Sequence, residues 1–368
     1  MFEILETGIK NSRNVLRYFF RPGAIKELET ILSQRQRGQN KCAVYFVDQF
    51  FEKNAGSLGC FAQSEDDKVI FVDSQNEPTT DYVNLKVAKL LEEGISDPFA
   101  VIGIGGGTTL DIAKAVSNLL TNGGKAEDYQ GWDLVKVPGV YKVGIPTISG
   151  TGAEATRTCV LTNKEKGLKL GMNSDHTVFD QLILDPDLTE TVPSDQYFYT
   201  GMDAYIHCME VLSGHYRNVV GDAFSDQAIK FCREVFLSDE IKSARNREKL
   251  MVASYFGGCA VGTTYVGVLH PFSAGLSVVL GMHHGIANCV AMTAMEEFYP
   301  RGLEEFWRMV EKQNIPVPRG VCRNLNEEQY DLLYEATIIH EKPLTNALGD
   351  DFKSILTKEK VIEIFRSM

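Results

Sequence analysis

The strongest constraint on the fold is a change of texture near residue 185. Before it, short apolar runs alternate with stretches of helical periodicity; after Pro186 the short runs stop and only helical periodicity remains. Residues 41–48, 68–73, 99–104, 141–145 and 181–185 read as buried strands. The segments 22–34, 81–94 and 108–121 read as helices between them, the last with Leu110, Ala113, Ala115, Leu119 and Leu120 on its apolar side. Strand and helix in alternation predict an α/β domain with a parallel sheet over residues 1–185. The periodic stretches 194–213, 222–237, 244–280, 285–297, 303–313, 326–340 and 358–367 predict an all-α domain over 186–368.

A chain of 368 residues fits two domains of ordinary size. Its formal charge of −12 argues against nucleic acid or an anionic membrane as the main partner. No apolar run is long enough to span a bilayer, and the start Met1-Phe2-Glu3-Ile4 lacks the basic residues of a secretory signal. A soluble, cytoplasmic protein is expected. None of the eight cysteines forms Cys-x-x-Cys, so neither a zinc ribbon nor a dithiol site is suggested.

The third strand runs into Gly105-Gly106-Gly107-Thr108 and then a helix. Consecutive glycines let the backbone approach a diphosphate with helix N-terminal amides pointing at it, and Thr108 can add a hydroxyl. Thr108 stands where the Rossmann fingerprint has its third glycine, so the loop is Rossmann-like without matching that pattern. Asp48, at the end of the first strand, suits a ribose hydroxyl or, equally, a turn. Thr147 and Thr151, in the hydroxyl-rich stretch 145–154, would form a second wall of a nucleotide cleft. Lys169 either reaches a ribose or phosphate or is a solvated lysine.

Asp203 and His207 are four apart and share a helix face. His270 and His284 are fourteen apart, about 21 Å along one straight helix, so they can serve one ion only if the chain turns between them. Gly281-Met282 supplies a turn, which predicts a helix bearing His270 and a second helix opened by His284. One carboxylate and three imidazoles suit Zn²⁺ or Fe²⁺, although spacing alone does not separate a metal site from ordinary buried histidines. A divalent ion beside a nucleotide suggests a Lewis acid that acidifies a substrate hydroxyl before hydride loss.

Taken in order, these motifs are similar to the iron-containing (group III) alcohol dehydrogenase family almost end to end. The likeness is carried by Pro22-Gly23, Asp48, Pro78-Thr79, the glycine loop with Asp111-Ile112-Ala113-Lys114, Pro146-Thr147 and Gly150-Thr151-Gly152-Ala153-Glu154. It continues through Asp185-Pro186, Gly201-Met202-Asp203-Ala204 with His207, and His284-Gly285-Ile286-Ala287-Asn288. The resemblance implies a dinucleotide-binding domain, a helical metal domain with a site in the cleft between them, and Asp203, His207, His270 and His284 as ligands. It also implies NAD and a homodimer. One departure stands out: Ala274 occupies a position where family members commonly carry a histidine thought to help relay a proton. His283 and Ser273 are the substitutes within reach in sequence.

Within the family the chain most resembles the members that oxidise the C8 alcohol of 3-deoxy-D-manno-octulosonate (Kdo) for lipopolysaccharide, whose aldehyde product passes to an aminotransferase. Arg157 is then a possible partner for the sugar carboxylate. NAD or oxygen could accept the electrons. A glycerol dehydrogenase-like enzyme of small alcohols is the nearest alternative; a dehydroquinate synthase would want glutamate in place of Asp203. A non-catalytic nucleotide and metal sensor is the alternative outside enzymes.

Overall fold

The computed structural model describes residues 13–35, 42–54, 56 and 64–368. The expectations placed on residues 1–4, on Lys41 and on Cys60 lie outside these. The described chain divides into two compact units, one of residues 13–166 and 170–191, the other of residues 167–169 and 192–368.

The first unit is built on a parallel six-stranded sheet. Its strands are β1 (Arg17–Phe20), β2 (Ala43–Asp48), β3 (Lys68–Val72), β4 (Ala100–Gly105), β6 (Lys142–Pro146) and β9 (Gln181–Leu184), in the order β1-β9-β6-β4-β2-β3. Strands β2, β4, β6 and β9 are buried nearly throughout, as a sheet covered on both faces requires. One face packs with helix α1 (Glu27–Ser33), around Leu28, Ile31, Tyr45 and Ile102. The other packs with α3 (Thr80–Glu92) and α4 (Gly107–Asn122), around Val83, Ile112, Val116 and Phe46. A short α2 (Phe50–Lys53) follows β2, and a second sheet of order β5-β8-β7 is formed by β5 (Gly131–Trp132), β7 (Thr158–Asn163) and β8 (Leu168–Asn173).

The chain leaves β2 for β3 on one side, then returns to place β4 on β2's other side. The carboxyl ends of β2 and β4 therefore flank a topological switch point, the position at which open α/β sheets receive ligands. Asp48 closes β2 and Gly105 closes β4.

The second unit is helical: α5 (Ser194–Ser213), α6 (Val219–Phe236), α7 (Ala244–Gly262), α8 (Leu269–Leu280), α9 (His284–Met292) and α10 (Pro300–Gln313), then α11 (Glu327–Ile338), α12 (Glu341–Leu348), α13 (Phe352–Ile355) and α14 (Lys358–Ser367). Helix α5 is buried on every side from Tyr197 to Val211, with α6, α7 and α9 packed on it. The α/β and all-helical textures are thus both present.

Two expectations need correction, and some strands were not expected. The stretch 244–280 is two helices, because the chain leaves the helix at Thr263 and a buried Asn346 amide caps the carbonyls of Tyr265 and Val266 at 2.8 and 3.1 Å. The predicted helix 22–34 begins with a single 3-10 turn and becomes α-helical only at Glu27. Strand β1 was not foreseen, since all four of its residues are exposed and carry no burial alternation. Strands β7 and β8, also unforeseen, form no continuous apolar run: β7 alternates in burial, and β8 is half-buried apart from Lys169 and Met172. No described helix is long and apolar enough to cross a membrane.

Candidate metal centre and nucleotide loop

The helical unit brings Asp203, His270 and His284 to one point. One ligand atom from each lies within 4.8 Å of the others, the only such group of three among the described residues. Asp203 comes from α5, His270 from the first turn of α8, and His284 opens α9. The turn required by the spacing is present: α8 ends at Gly281, whose φ of 66° is a left-handed cap that glycine adopts without strain. Gly285 brings α9 against α5, since a Cβ on it would stand 2.9 Å from the Tyr199 carbonyl oxygen. A side chain at 285 would push His284 away from Asp203.

Asp203 is completely buried, and its oxygens are surrounded by nitrogen. Oδ1 accepts from Asn288 Nδ2 at 2.7 Å and lies 3.2 Å from His270 Nε2 and 3.5 Å from His207 Nε2. Oδ2 lies 3.3 Å from His284 Nε2 and makes no hydrogen bond. Burial alone would raise the Asp203 pKa; His207, His284 and His270 outweigh it and hold the carboxyl ionised, well below the usual range. His284 remains 29% exposed and gives the cluster its opening to solvent.

His207 stands beside the group. Its ring stacks on His270 with centroids 4.6 Å apart and planes 9° from parallel, which sets it slightly away from the other three donors. Burial pushes its pKa down to about 4, so it is a neutral imidazole with a lone pair to offer.

Glu210 was missed in the sequence. It follows Asp203 and His207 on α5 at i+7, so all three share one face. Its Oε2 pairs with His270 Nδ1, while Oε1 accepts from the Leu269 N–H at 2.7 Å and from the Tyr299 hydroxyl at 3.4 Å. A carboxylate behind a histidine fixes the ring and turns its other nitrogen toward the ion, a common arrangement behind metal ligands. Burial would lower the His270 pKa, but Glu210 and Asp203 outweigh it and raise it to about 10. The same two carboxylates that favour a proton on His270 favour a divalent cation at its Nε2. A buried carboxylate oxygen without a hydrogen bond, ringed by imidazole nitrogens, fits such an ion.

The remaining proton-relay candidates separate. His283 N-caps α9 and is not one of the grouped donors. Ser273 is fully buried on α8 with an Oγ that makes no hydrogen bond. Arg157 is already engaged, by Asp175 at 3.0 Å and by Asp133, which leaves it poorly placed to receive a substrate carboxylate.

In the α/β unit, the nucleotide candidates gather at the switch point. A Cβ on Gly105 would stand 2.7 Å from Thr109 Oγ1 and 3.1 Å from the Asp48 side chain, and one on Gly107 3.2 Å from Thr151. The Thr147 N–H donates to the Gly105 carbonyl oxygen at 3.1 Å. Asp48, the glycines, Thr147 and Thr151 thus form one small-walled loop region. Thr108 lies in the first turn of α4, whose N-terminus has no side-chain cap and no acidic residue, leaving amides for an anion. This cradle fits a diphosphate. Asp48 Oδ1 also accepts from the Phe50 N–H at 2.9 Å, so part of its role is to shape the turn. Lys169 groups with the helical unit.

Two family models match the chain: iron-containing alcohol dehydrogenase over residues 16–186, and the C-terminal part of the Fe-containing alcohol dehydrogenase family over residues 197–328. The chain is 34% identical to the sulfoacetaldehyde reductase of Bilophila wadsworthia over 222 residues, 59% of this chain and 56% of that one. It thus spans little more than half the length of that relative. It is 32% identical to the NAD-dependent methanol dehydrogenase of Bacillus methanolicus over 276 residues, 73% of this chain and 71% of that one. The structure of sulfoacetaldehyde reductase from Bifidobacterium kashiwanohense in complex with NAD⁺ superposes with a TM-score of 0.76, covering 96% of this chain and 97% of that one at 21% identity, a likeness of fold.

Proposed function

The chain belongs to the iron-containing alcohol dehydrogenase family, and from that premise we propose that it interconverts a primary alcohol and its aldehyde using a divalent metal and NAD. The observation that carries this reading is the buried Asp203 carboxylate faced by the Nε2 atoms of His207, His270 and His284. Asp203, His270 and His284 would hold the ion, with His207 completing the set after a small ring movement. Bound there, a divalent ion supplies Lewis acidity toward a substrate oxygen and NAD supplies the hydride acceptor. The mixed oxygen and nitrogen donors suit Fe²⁺ and Zn²⁺ alike, and the family's name favours iron.

The chain's own contribution is positioning. Glu210 locks the His270 ring, and Asn288 orients the Asp203 carboxylate. The glycine cradle takes the diphosphate, and Asp48 takes a ribose hydroxyl while repelling a 2′-phosphate. Lys169 remains part of the cofactor proposal as a ribose or phosphate contact.

The substrate we propose is an anionic primary alcohol or aldehyde. The whole-chain resemblance favours the C8 hydroxyl of Kdo, with the aldehyde passing to an aminotransferase; the reductase relative favours sulfoacetaldehyde. Both are anions, sulfoacetaldehyde with its sulfonate one carbon from the carbonyl and Kdo with its carboxylate at the far end of the chain from C8. A homodimer belongs to the same reading: edge strand β1 exposes Tyr18, Phe19 and Phe20, a surface a second copy would cover.

The test is a panel of Kdo, sulfoacetaldehyde, methanol and glycerol on Fe²⁺- and Zn²⁺-reconstituted protein, with NAD⁺ or NADH and, separately, under air. Turnover of an anionic substrate above the neutral alcohols is expected, followed by NADH absorbance. Peroxide formation without NAD⁺ would replace NAD by oxygen as acceptor. Protein that is metal-loaded and binds NAD⁺ but converts nothing would mark it as a sensor.

A further inference from the structure

Alcohol oxidation releases a proton as well as a hydride, and the grouped side chains are committed to one another. Asp203, His270 and His284 converge on one point, and Glu210 is engaged by His270, Leu269 and Tyr299. A different imidazole approaches from outside the group. Helix α11 lies against α8 at Gly275, where a Cβ would stand 3.1 Å from Thr337 Oγ1 and 3.4 Å from the Leu333 carbonyl oxygen. One turn beyond Thr337 the chain reaches His340, whose N–H donates to the Thr337 carbonyl oxygen at 3.3 Å.

As a residue His340 is only partly exposed, and its Nε2 is closed off from water and makes no hydrogen bond. A buried imidazole nitrogen without a partner is costly, which is why such groups collect where a ligand supplies the missing bond. Its place ties it to the site: Thr337 meets α8 at Gly275 and Asn346 bonds the Tyr265 and Val266 carbonyls just before α8, so His340, between the two, lies along the part of the chain that carries His270. Burial lowers its pKa and keeps the ring neutral.

We propose that His340 is the proton-transfer residue of this site. The inference rests on the alcohol–aldehyde reading above. In the oxidation, the C–H electron pair leaves as hydride to the nicotinamide ring and the O–H electron pair becomes the second bond of the carbonyl. The proton passes to His340 Nε2, and the imidazolium gives up its other N–H proton toward solvent; reduction runs the same path in reverse. Ser273 can pass a proton but cannot hold one, whereas an imidazole does both. This assigns the relay to a residue seventy positions from His270 in sequence.

The test compares wild type with His340→Ala and His340→Gln, all Zn²⁺-loaded, with NADH and sulfoacetaldehyde or, for oxidation, NAD⁺ and Kdo. Both variants should keep wild-type metal content and NAD⁺ affinity while kcat falls about 100-fold. KM should change little, and added imidazole should restore much of the rate of His340→Ala only. If His340→Ala melts early, His340→Gln carries the kinetic comparison. A second measurement needs no turnover. In ¹⁵N-histidine-labelled protein with NAD⁺, the resonance missing from His340→Gln should move when trifluoroethanol is added.

Variants with kcat within twofold of wild type, or a resonance that stays fixed while the alcohol binds, overturn the assignment of His340. A wild type that binds metal and NAD⁺ but converts no alcohol or aldehyde overturns the reading of the site instead.

Discussion

The two ligand regions are built from opposite materials. In the helical unit, three helices each send one or two side chains to a single point, and a few atoms around Asp203 carry the site. In the α/β unit, the region after β4 offers main-chain amides and open space, and side chains matter mostly by being small. A side-chain site concentrates its free energy in single residues, each of which can abolish it. A backbone site spreads its free energy over many amides, so substitutions weaken it by degrees.

The sharpest break in that comparison is His270→Ala. It removes a ligand atom and leaves Glu210 buried without the imidazole it pairs with. Metal content measured by elemental analysis should fall to background and activity with it, while NAD⁺ affinity stays unchanged. Retention of both metal and rate would mean that His270 is not a ligand. Glu210→Gln comes next. The ring keeps a hydrogen-bond partner but loses the charge behind it, and metal affinity should drop about 10–100-fold in a chelator competition. An unchanged affinity would reduce Glu210 to packing.

Gly105→Ala probes the other region. The new methyl must displace Thr109 and Asp48, which should destabilise the fold by about 1–3 kcal/mol. NAD⁺ binding, followed by calorimetry, should weaken several-fold while metal content holds. Metal loss in this variant would erase the distinction between the regions. Asp48→Ala is milder: losing one hydrogen-bond acceptor of about 1 kcal/mol should relax the preference for NAD⁺ over NADP⁺ by about fivefold. An unchanged preference would leave Asp48 as a turn residue only.

The smallest effect concerns a buried charge of the α/β unit. Burial lowers the Lys142 pKa from 10.5 to about 8, against the opposing pull of Asp180. Between those values the unfolded chain binds more protons than the folded one, so this group makes stability rise with pH across that window. Lys142→Met should lack the rise, seen as melting temperatures that converge with wild type from pH 8 toward pH 10. Parallel profiles would show that Lys142 titrates normally.

How much of this was legible follows from range. The chain reversal between His270 and His284 could be read from helix arithmetic and Gly281, and the α8–α9 boundary falls where it was expected. The small His207 displacement was not legible, because it arises from stacking between rings on two helices. Glu210 and Asn288 were readable in principle, at i+7 from Asp203 and i+4 from His284, but neither is an unusual residue in a helix. Tyr299 and His340 were not readable, since their places depend on how distant helices pack. In the sheet, continuous burial announced β2 and β4, whereas fully exposed β1 carried no signal.

Asp203 is the centre of the proposed metal site, and titration of Zn²⁺ or Fe²⁺ into chelator-stripped protein tests that role most directly. Wild type should bind one equivalent tightly, and Asp203→Asn, which keeps the side chain's size, should bind none in the same range while melting cooperatively. Full-affinity stoichiometric binding by Asp203→Asn would contradict the account.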